Sequence, residues 1–333
     1  MKNASLIGCL LLVGGLANLN AQSSAKIVSS ADAFLAALDP AQKAKVLFEF
    51  NDEKQRLRWS NLPATVSPRA GLKMGDLTES QRKAALGLLA ATLSKQGYEK
   101  TLAIMEGDEL LKSGSGQNGN MFGRDLYFIS ILGTPSSKDP WMLQFGGHHL
   151  ALNLTFAGKD GILTPSHTAA QPAKYTINGK TVRPLGSETD KAFALINALD
   201  ETQRKQAILD YKVADLVLGP GKDGKTIQPE GIKAAALNAA QRAMLIDLIR
   251  EWTGIVNDEA AARRMTQIQA GMSETWFAWS GPITPGSAAY FRIQGPQLVI
   301  EYAPQALGGD LTMHIHTIYR DPTNDYGRTS TSR

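Results

Sequence analysis

The chain has 333 residues, 43% of them hydrophobic and 20% charged, and a net charge of +4. That is ordinary globular composition, with length for one large domain or two moderate ones. The charge is mild and scattered, with no basic block interleaved with aromatics, which argues against a nucleic-acid partner.

Residues 1–21 lie in "MKNASLIGCLLLVGGLANLNAQ", with a basic Lys2, an apolar stretch from Leu6 to Leu16 and a small residue at Ala21. This reads as a secretory signal peptide cleaved near Ala21–Gln22. The apolar run is about half the ~20 residues of a membrane span. Cys9, the only cysteine, would leave with the leader. Disulfides, thiolate nucleophiles and thiolate metal sites are thereby excluded. No second apolar run is long enough to cross a bilayer, so a soluble secreted or periplasmic protein is expected.

Helical signals follow. Asp39, Thr78, Asp200 and Asn238 each precede an apolar helical pattern, and Gln42, Gln81, Gln203 and Gln241 stand three residues later. That spacing predicts four capping boxes. The four also reveal a repeat. "GLKMGDLTESQR" at Gly71 and "GIKAAALNAAQR" at Gly231 share one pattern at an offset of 160 residues, and Gln42 matches Gln203 at 161. Each half then runs through aromatic-rich strands, Arg124–Phe156 and Ala288–Tyr319, broken by Gly/Pro turns. The predicted fold is α+β. Residues 26–333 form one domain of two tandem helix-plus-antiparallel-strand repeats, about 30–160 and 190–320, packed with pseudo-twofold symmetry around a shared sheet. A Gly/Pro-rich linker with a hairpin at Asn178-Gly179 joins them.

Four of the five histidines fall in two pairs, His148-His149 in "GGHHLALNLTF" and His314/His316 in "LTMHIHTIYRD". The repeat predicts that these strands sit side by side, so that all four converge. Residues two apart on a strand share a face, so His314 and His316 point together and offer two imidazoles to one ion. His148 and His149 are adjacent and should face opposite ways. The polar alternation His149, Ala151, Asn153, Thr155 assigns His149 to the cleft, although the Gly-Gly break beside it can reverse that. Glu301, a lone acid in "LVIEY", is either a catalytic base or a structural partner of Arg292. Asp321 and Asp325 could orient the imidazoles. Trp141 and Trp279, with Arg292, are candidate cleft residues. No Gly-x-Ser-x-Gly elbow, phosphate loop, HExxH or EF-hand pattern occurs.

At these residues the sequence resembles the DUF3500 family, a domain of unknown function whose members are often secreted. The resemblance covers nearly all of the chain after the leader. It rests on "RWSNLP", "RAGLKMGDLTESQR", "WMLQFGGHHLALN", "FAWSGP", "YFRIQGPQLVIEY" and "HIHTIYRDPTNDYG". The chain departs from the family pattern where Gly146 replaces a frequent acid before GHH, where "APQALGG" follows the IEY strand, and where no histidine follows DYG.

Two functional classes fit. One is a secreted metalloenzyme, a hydrolase in which His149, His314 and His316 hold zinc or another divalent transition metal and Glu301 or an Asp is the base. The other is a non-catalytic periplasmic binding protein for a metal, haem or small organic ligand. A third use of the histidines is simply to hold the two repeats together.

Overall fold

A computed structural model describes residues 11–158 and 160–329, with side chains from Ser24 onward. Residues 1–10 of the expected leader lie outside the described residues, and 11–21 fall within the first helix. Leu11–Ala36 is one helix, α1. Among the described residues no helix is long and apolar enough to cross a membrane.

The helices start where the caps predict. α2 (Pro40–Val46), α3 (Glu79–Thr92), α6 (Glu201–Ala207) and α7 (Ala239–Thr253) each open with a complete capping box. The box glutamines also bond each other in pairs. Gln81 Nε2 donates to Gln42 Oε1 at 2.8 Å, and Gln241 Nε2 to Gln203 Oε1 at 2.7 Å. These glutamines are thus fixed as helix-joining groups. The remaining long helices are α4 (Lys95–Gly114), α5 (Gly186–Ala198) and α8 (Asp258–Ala270). The two halves meet between helices too. Ser94 N donates to Ile255 O and Asn257 N to Thr92 O, both at 3.0 Å.

The helices rest on one mixed twelve-stranded sheet. Its main strands are β1 (Phe128–Leu132), β2 (Trp141–Gly146), β3 (Leu150–Ala157), β4 (Ser166–Ala170), β5 (Trp276–Ser280), β6 (Tyr290–Gly295), β7 (Leu298–Pro304) and β8 (Ile315–Arg320). Their order is β1-β2-β3-β4-β8-β7-β6-β5, every neighbour antiparallel. One face packs on the helices in two cores. Ile129, Leu143, Leu152 and Leu88 belong to the first, and Phe277, Phe291, Ile300 and Leu248 to the second. The other face is polar. It carries Gln144, Asn153, His167, His316, Glu301 and Arg320, all buried under loops.

Two sequence expectations need correction here. The strands after the two histidine motifs, β3 and β8, are not neighbours, because β4 lies between them. The segment read as linker supplies that strand. "SHTAA" is short and flanked by turn formers, so it carried no strand signal. The hairpin within the same segment is present as expected. Tyr175–Ile177 pairs with Lys180–Val182 across Asn178 and Gly179, both at positive φ, as a tight two-residue turn requires.

At the β4–β8 junction Thr168 faces Thr317, their hydroxyls 2.8 Å apart, and Trp252 Nε1 donates to Thr317 Oγ1 at 3.0 Å. Thr317→Val removes the partner of two buried donors, at about 1–3 kcal/mol each. Thr168→Val leaves Trp252 satisfied. Urea unfolding should show roughly twice the loss for Thr317→Val; equal losses would show that Thr317 is not the shared partner.

Candidate functional site

All five histidines meet where the start of β3, the end of β4 and the start of β8 adjoin. The GHHL stretch is a tight bend that leads into β3. Gly147 runs so close to Tyr127 that a Cβ would come within 3.1 Å of its ring and 2.9 Å of Leu126 O. His149 then takes φ 62, in the left-handed region, which breaks strand alternation. This overturns the expectation that His148 and His149 face apart. Their rings lie 3.5 Å apart, and both Nδ1 atoms lie 3.0 Å from Asp108 Oδ1.

Asp108 comes from α4. Tyr127 Oη is 2.8 Å from Asp108 Oδ2 and 2.8 Å from the His148 carbonyl. Burial pushes the Asp108 pKa up, while hydrogen bonds from His148 and Tyr127 pull it back down. Two imidazoles and a phenol directed at one carboxyl form the setting of a carboxylate that accepts from all three.

The inner atoms are three Nε2 nitrogens. His149 Nε2 is 3.1 Å from His314 Nε2, which is 2.9 Å from His316 Nε2. The outer nitrogens fix the tautomers. His314 Nδ1 is 2.7 Å from Leu307 O, and a carbonyl only accepts, so the proton sits on Nδ1. His149 Nδ1 likewise donates to Asp108. Both Nε2 atoms are then lone pairs facing each other. His316 Nδ1 meets Asn61 Nδ2 at 3.2 Å. In that orientation His316 Nε2 carries a proton toward His314; with the Asn61 amide turned over, it is a third lone pair. His149, at 1% exposure, and His316 are held well below the usual histidine range, first by burial and then by neighbouring imidazoles. Burial lowers His314 as well, opposed by the Leu307 carbonyl. The imidazoles are thus neutral at physiological pH, the state that metal binding needs.

The ligand atoms of His149, His314 and His316 lie within 4.8 Å of one another, and so do those of Asp108, His148 and His149. Two imidazoles about 2.05 Å from a tetrahedral zinc stand roughly 3.3 Å apart, close to the spacing here. His314 and His316 point together as the HxH spacing predicts.

The other candidates are placed elsewhere. Glu301 is fully buried, and both its oxygens are occupied. Oε1 accepts from Val217 N at 2.8 Å and Tyr290 Oη at 2.6 Å, and Oε2 from Leu218 N at 2.7 Å. It anchors the loop over the sheet, with three of its roughly four acceptor sites taken. Arg292 lies opposite Glu301 on the sheet but pairs with Glu230 at 2.7 Å, so it is not a cleft residue. Asp321 pairs with Arg264 at 2.8 Å, and Asp325 with Arg320 at 2.8 Å, so neither orients an imidazole. Trp141 and Trp279 are core residues of the helix-covered face, stacked on Phe156 and Phe291. Their aromatic bulk fills the layer between sheet and helices rather than a cleft wall.

Sequence reasoning missed Asp108, Asn61 and His167. Asp108 did carry a signal, since it falls on the buried stripe Thr101, Ile104, Asp108 of α4. His167 was hidden in the supposed linker. It is fully buried, its ring centroid is 5.2 Å from that of His316, and neither ring nitrogen has a hydrogen-bond partner.

Burial, with smaller contributions from neighbouring imidazoles and Arg69, lowers the His167 pKa to about 3, against ~6.5 when unfolded. Between those values the unfolded chain binds a proton that the folded chain does not. Stability from this group is therefore complete above about pH 6.5 and falls as the pH drops toward 3. At about 1.4 kcal/mol per pH unit per proton, the total is on the order of 4–5 kcal/mol. Denaturant titrations from pH 7 to 4 should show His167→Leu flattening this acid limb by about one proton. An unchanged slope would show that His167 is already protonated in the fold.

No curated protein and no solved structure matches the chain. One family model does, over residues 20–328, and its description is "Protein of unknown function (DUF3500)". With nearly the whole chain matched, the protein belongs to the DUF3500 family.

Proposed function

We propose that His149, His314 and His316 form a transition-metal centre of a secreted protein, and that its chemistry is metal-dependent hydrolysis. One observation carries the reading. Two buried imidazole nitrogens, their protons committed to Asp108 and Leu307, face each other at 3.1 Å with a third nitrogen 2.9 Å from one of them. Lone pairs so placed repel unless a cation lies among them. Asp108 fits the role of the carboxylate that orients a ligand imidazole. Three protein ligands leave a position open, and a metal there would lower the pKa of a bound water to about 7. His167 lies beside His316, their ring centroids 5.2 Å apart, and would line the metal centre as a neutral imidazole.

A second reading is non-catalytic metal storage or binding. It is favoured by the burial of the cluster, in which no histidine is more than 8% exposed. A panel of ester, amide and phosphoester substrates, assayed with and without chelator, separates the two readings.

The pseudo-twofold duplication belongs to this proposal as well. It is supported by recurring local structure. Gly71 (φ 100) and Gly231 (φ 95) each precede a two-residue strand, a 3-10 turn, a capping box and a long helix. The facing of Thr168 and Thr317 fits an axis through that pair. His167 and His316 then correspond to each other, rather than the two histidine motifs.

Metal content measured by plasma mass spectrometry on tag-free protein should give about one ion per chain. A folded His314→Ala/His316→Ala variant should hold none. Asp108→Asn should weaken metal affinity roughly 10–100-fold while leaving the three ligands in place. Wild-type protein that takes up no zinc, copper, manganese, iron, cobalt or nickel after reconstitution would overturn the metal centre.

A further inference from the structure

We infer that a second, anion-binding site lies beside the histidine cluster, built by Arg58 and Arg69 on the polar face of the sheet. It takes a small molecule bearing an oxyanion, carboxylate or phosphate, together with a hydrogen-bond donor. The inference deepens the proposed function, because it names the substrate class for the same region.

The buried arginines of this protein set the contrast. Arg56, Arg292 and Arg320 are nearly inaccessible, and each meets a carboxylate within 2.8 Å, from Glu53, Glu230 and Asp325. Arg58 and Arg69 meet none among the described residues. Both line a small cleft, of about 30 Å³, to which no carboxylate contributes. Arg69 is held by carbonyl oxygens alone, among them those of Ser60 and Leu62 at 2.7 Å and Gly147 at 3.2 Å. Carbonyls orient a guanidinium without neutralising it. Arg58 is half-buried, and its side chain makes no hydrogen bond or ion pair among the described residues. Two cations converging on a cleft without a counter-charge constitute an oxyanion site in electrostatic terms.

An orphaned acceptor gives the second, independent observation. Gln55 is 3% exposed and lines the same cleft. Its amide orientation is fixed from outside. Gln144 Nε2 must face the Arg56 and Asn153 oxygens, at 3.0 and 2.9 Å, so Gln144 Oε1 accepts from Gln55 Nε2 at 3.0 Å. Gln55 Oε1 is left without a donor. A buried amide oxygen without a partner is unfavourable, and a ligand hydroxyl or amine would satisfy it.

The cleft adjoins the cluster through two short paths. Ala151, on its floor, pairs across the sheet with His167. Arg69 grips the carbonyls on either side of Asn61, the residue that touches His316. An anion held here would sit one strand away from the imidazoles.

The test is calorimetric titration of the full-length, metal-loaded protein with inorganic phosphate, acetate and glycolate. Saturable binding of phosphate or of glycolate is expected, weakened about tenfold or more by Arg58→Gln, whose side chain has no internal partner to lose. Glycolate binding tighter than acetate, with the difference abolished by Gln55→Leu, assigns the donor subsite. Preference for phosphate or for glycolate decides between the two oxyanion sources. The His314→Ala/His316→Ala variant separates the two proposals: anion binding retained there stands without the metal. No saturable binding by the wild type, or binding that Arg58→Gln leaves intact, would overturn the arginine site.

Discussion

One antiparallel ladder, β4 against β8, holds the rest of the structure in place. Among the described residues it is the only strand pairing that joins the two halves of the sheet. On its helix side the seam is closed by Thr168 and Thr317. On the opposite side, the strict alternation of a strand turns His167 and His316 toward each other. The bend before β3 then needs only to reach across β4, and Ala169 N accordingly bonds His149 O at 2.8 Å. The histidine cluster is thus a product of register. A slip of one residue in this ladder would exchange imidazoles for threonines on the polar face.

Electrostatics follow from the same layout. The helix-covered face is conventional apolar packing, and its tryptophans belong there. The loop-covered face gathers charge and amide groups in a dry setting, where each needs a partner. Most have one, and Glu301 shows how completely such a partner set can be filled. Among the exceptions, the facing Nε2 atoms, the His167 ring, Gln55 Oε1 and the two arginines without acids lie on or beside three adjoining strands, while Gln294 Oε1 and Glu188 Oε2 lie elsewhere.

Much of this was legible in the sequence, and the limits have physical causes. The capping boxes were readable because they depend on side chains three residues apart. HxH was readable because a strand has a period of two. The GHHL bend was not, because a positive φ at His149 overrides alternation and no composition rule announces it. Glu301 and Arg292 were rightly seen as costly to bury, but which partners they find depends on contacts far along the chain, with Val217 and Glu230. Trp141 and Trp279 show the same limit. An aromatic in a strand can line a cleft or fill a core, and only the face it occupies decides. β4 was lost because five small or polar residues carry no hydrophobic pattern, although they form the central seam.

His149 and His314 are 165 residues apart in sequence, and β8 lies near the end of the described chain. During synthesis the first half can pack its helices on β1, β2 and β3 while His314 and His316 have yet to be made. The centre forms only after a loop of 165 residues has been closed at an entropic cost and β8 has docked on β4. Chains truncated before β8 would keep Asp108, His148 and His149 together but present an open sheet edge along β4, a surface prone to pair with another chain. Completion of the site and protection of that edge are one late event.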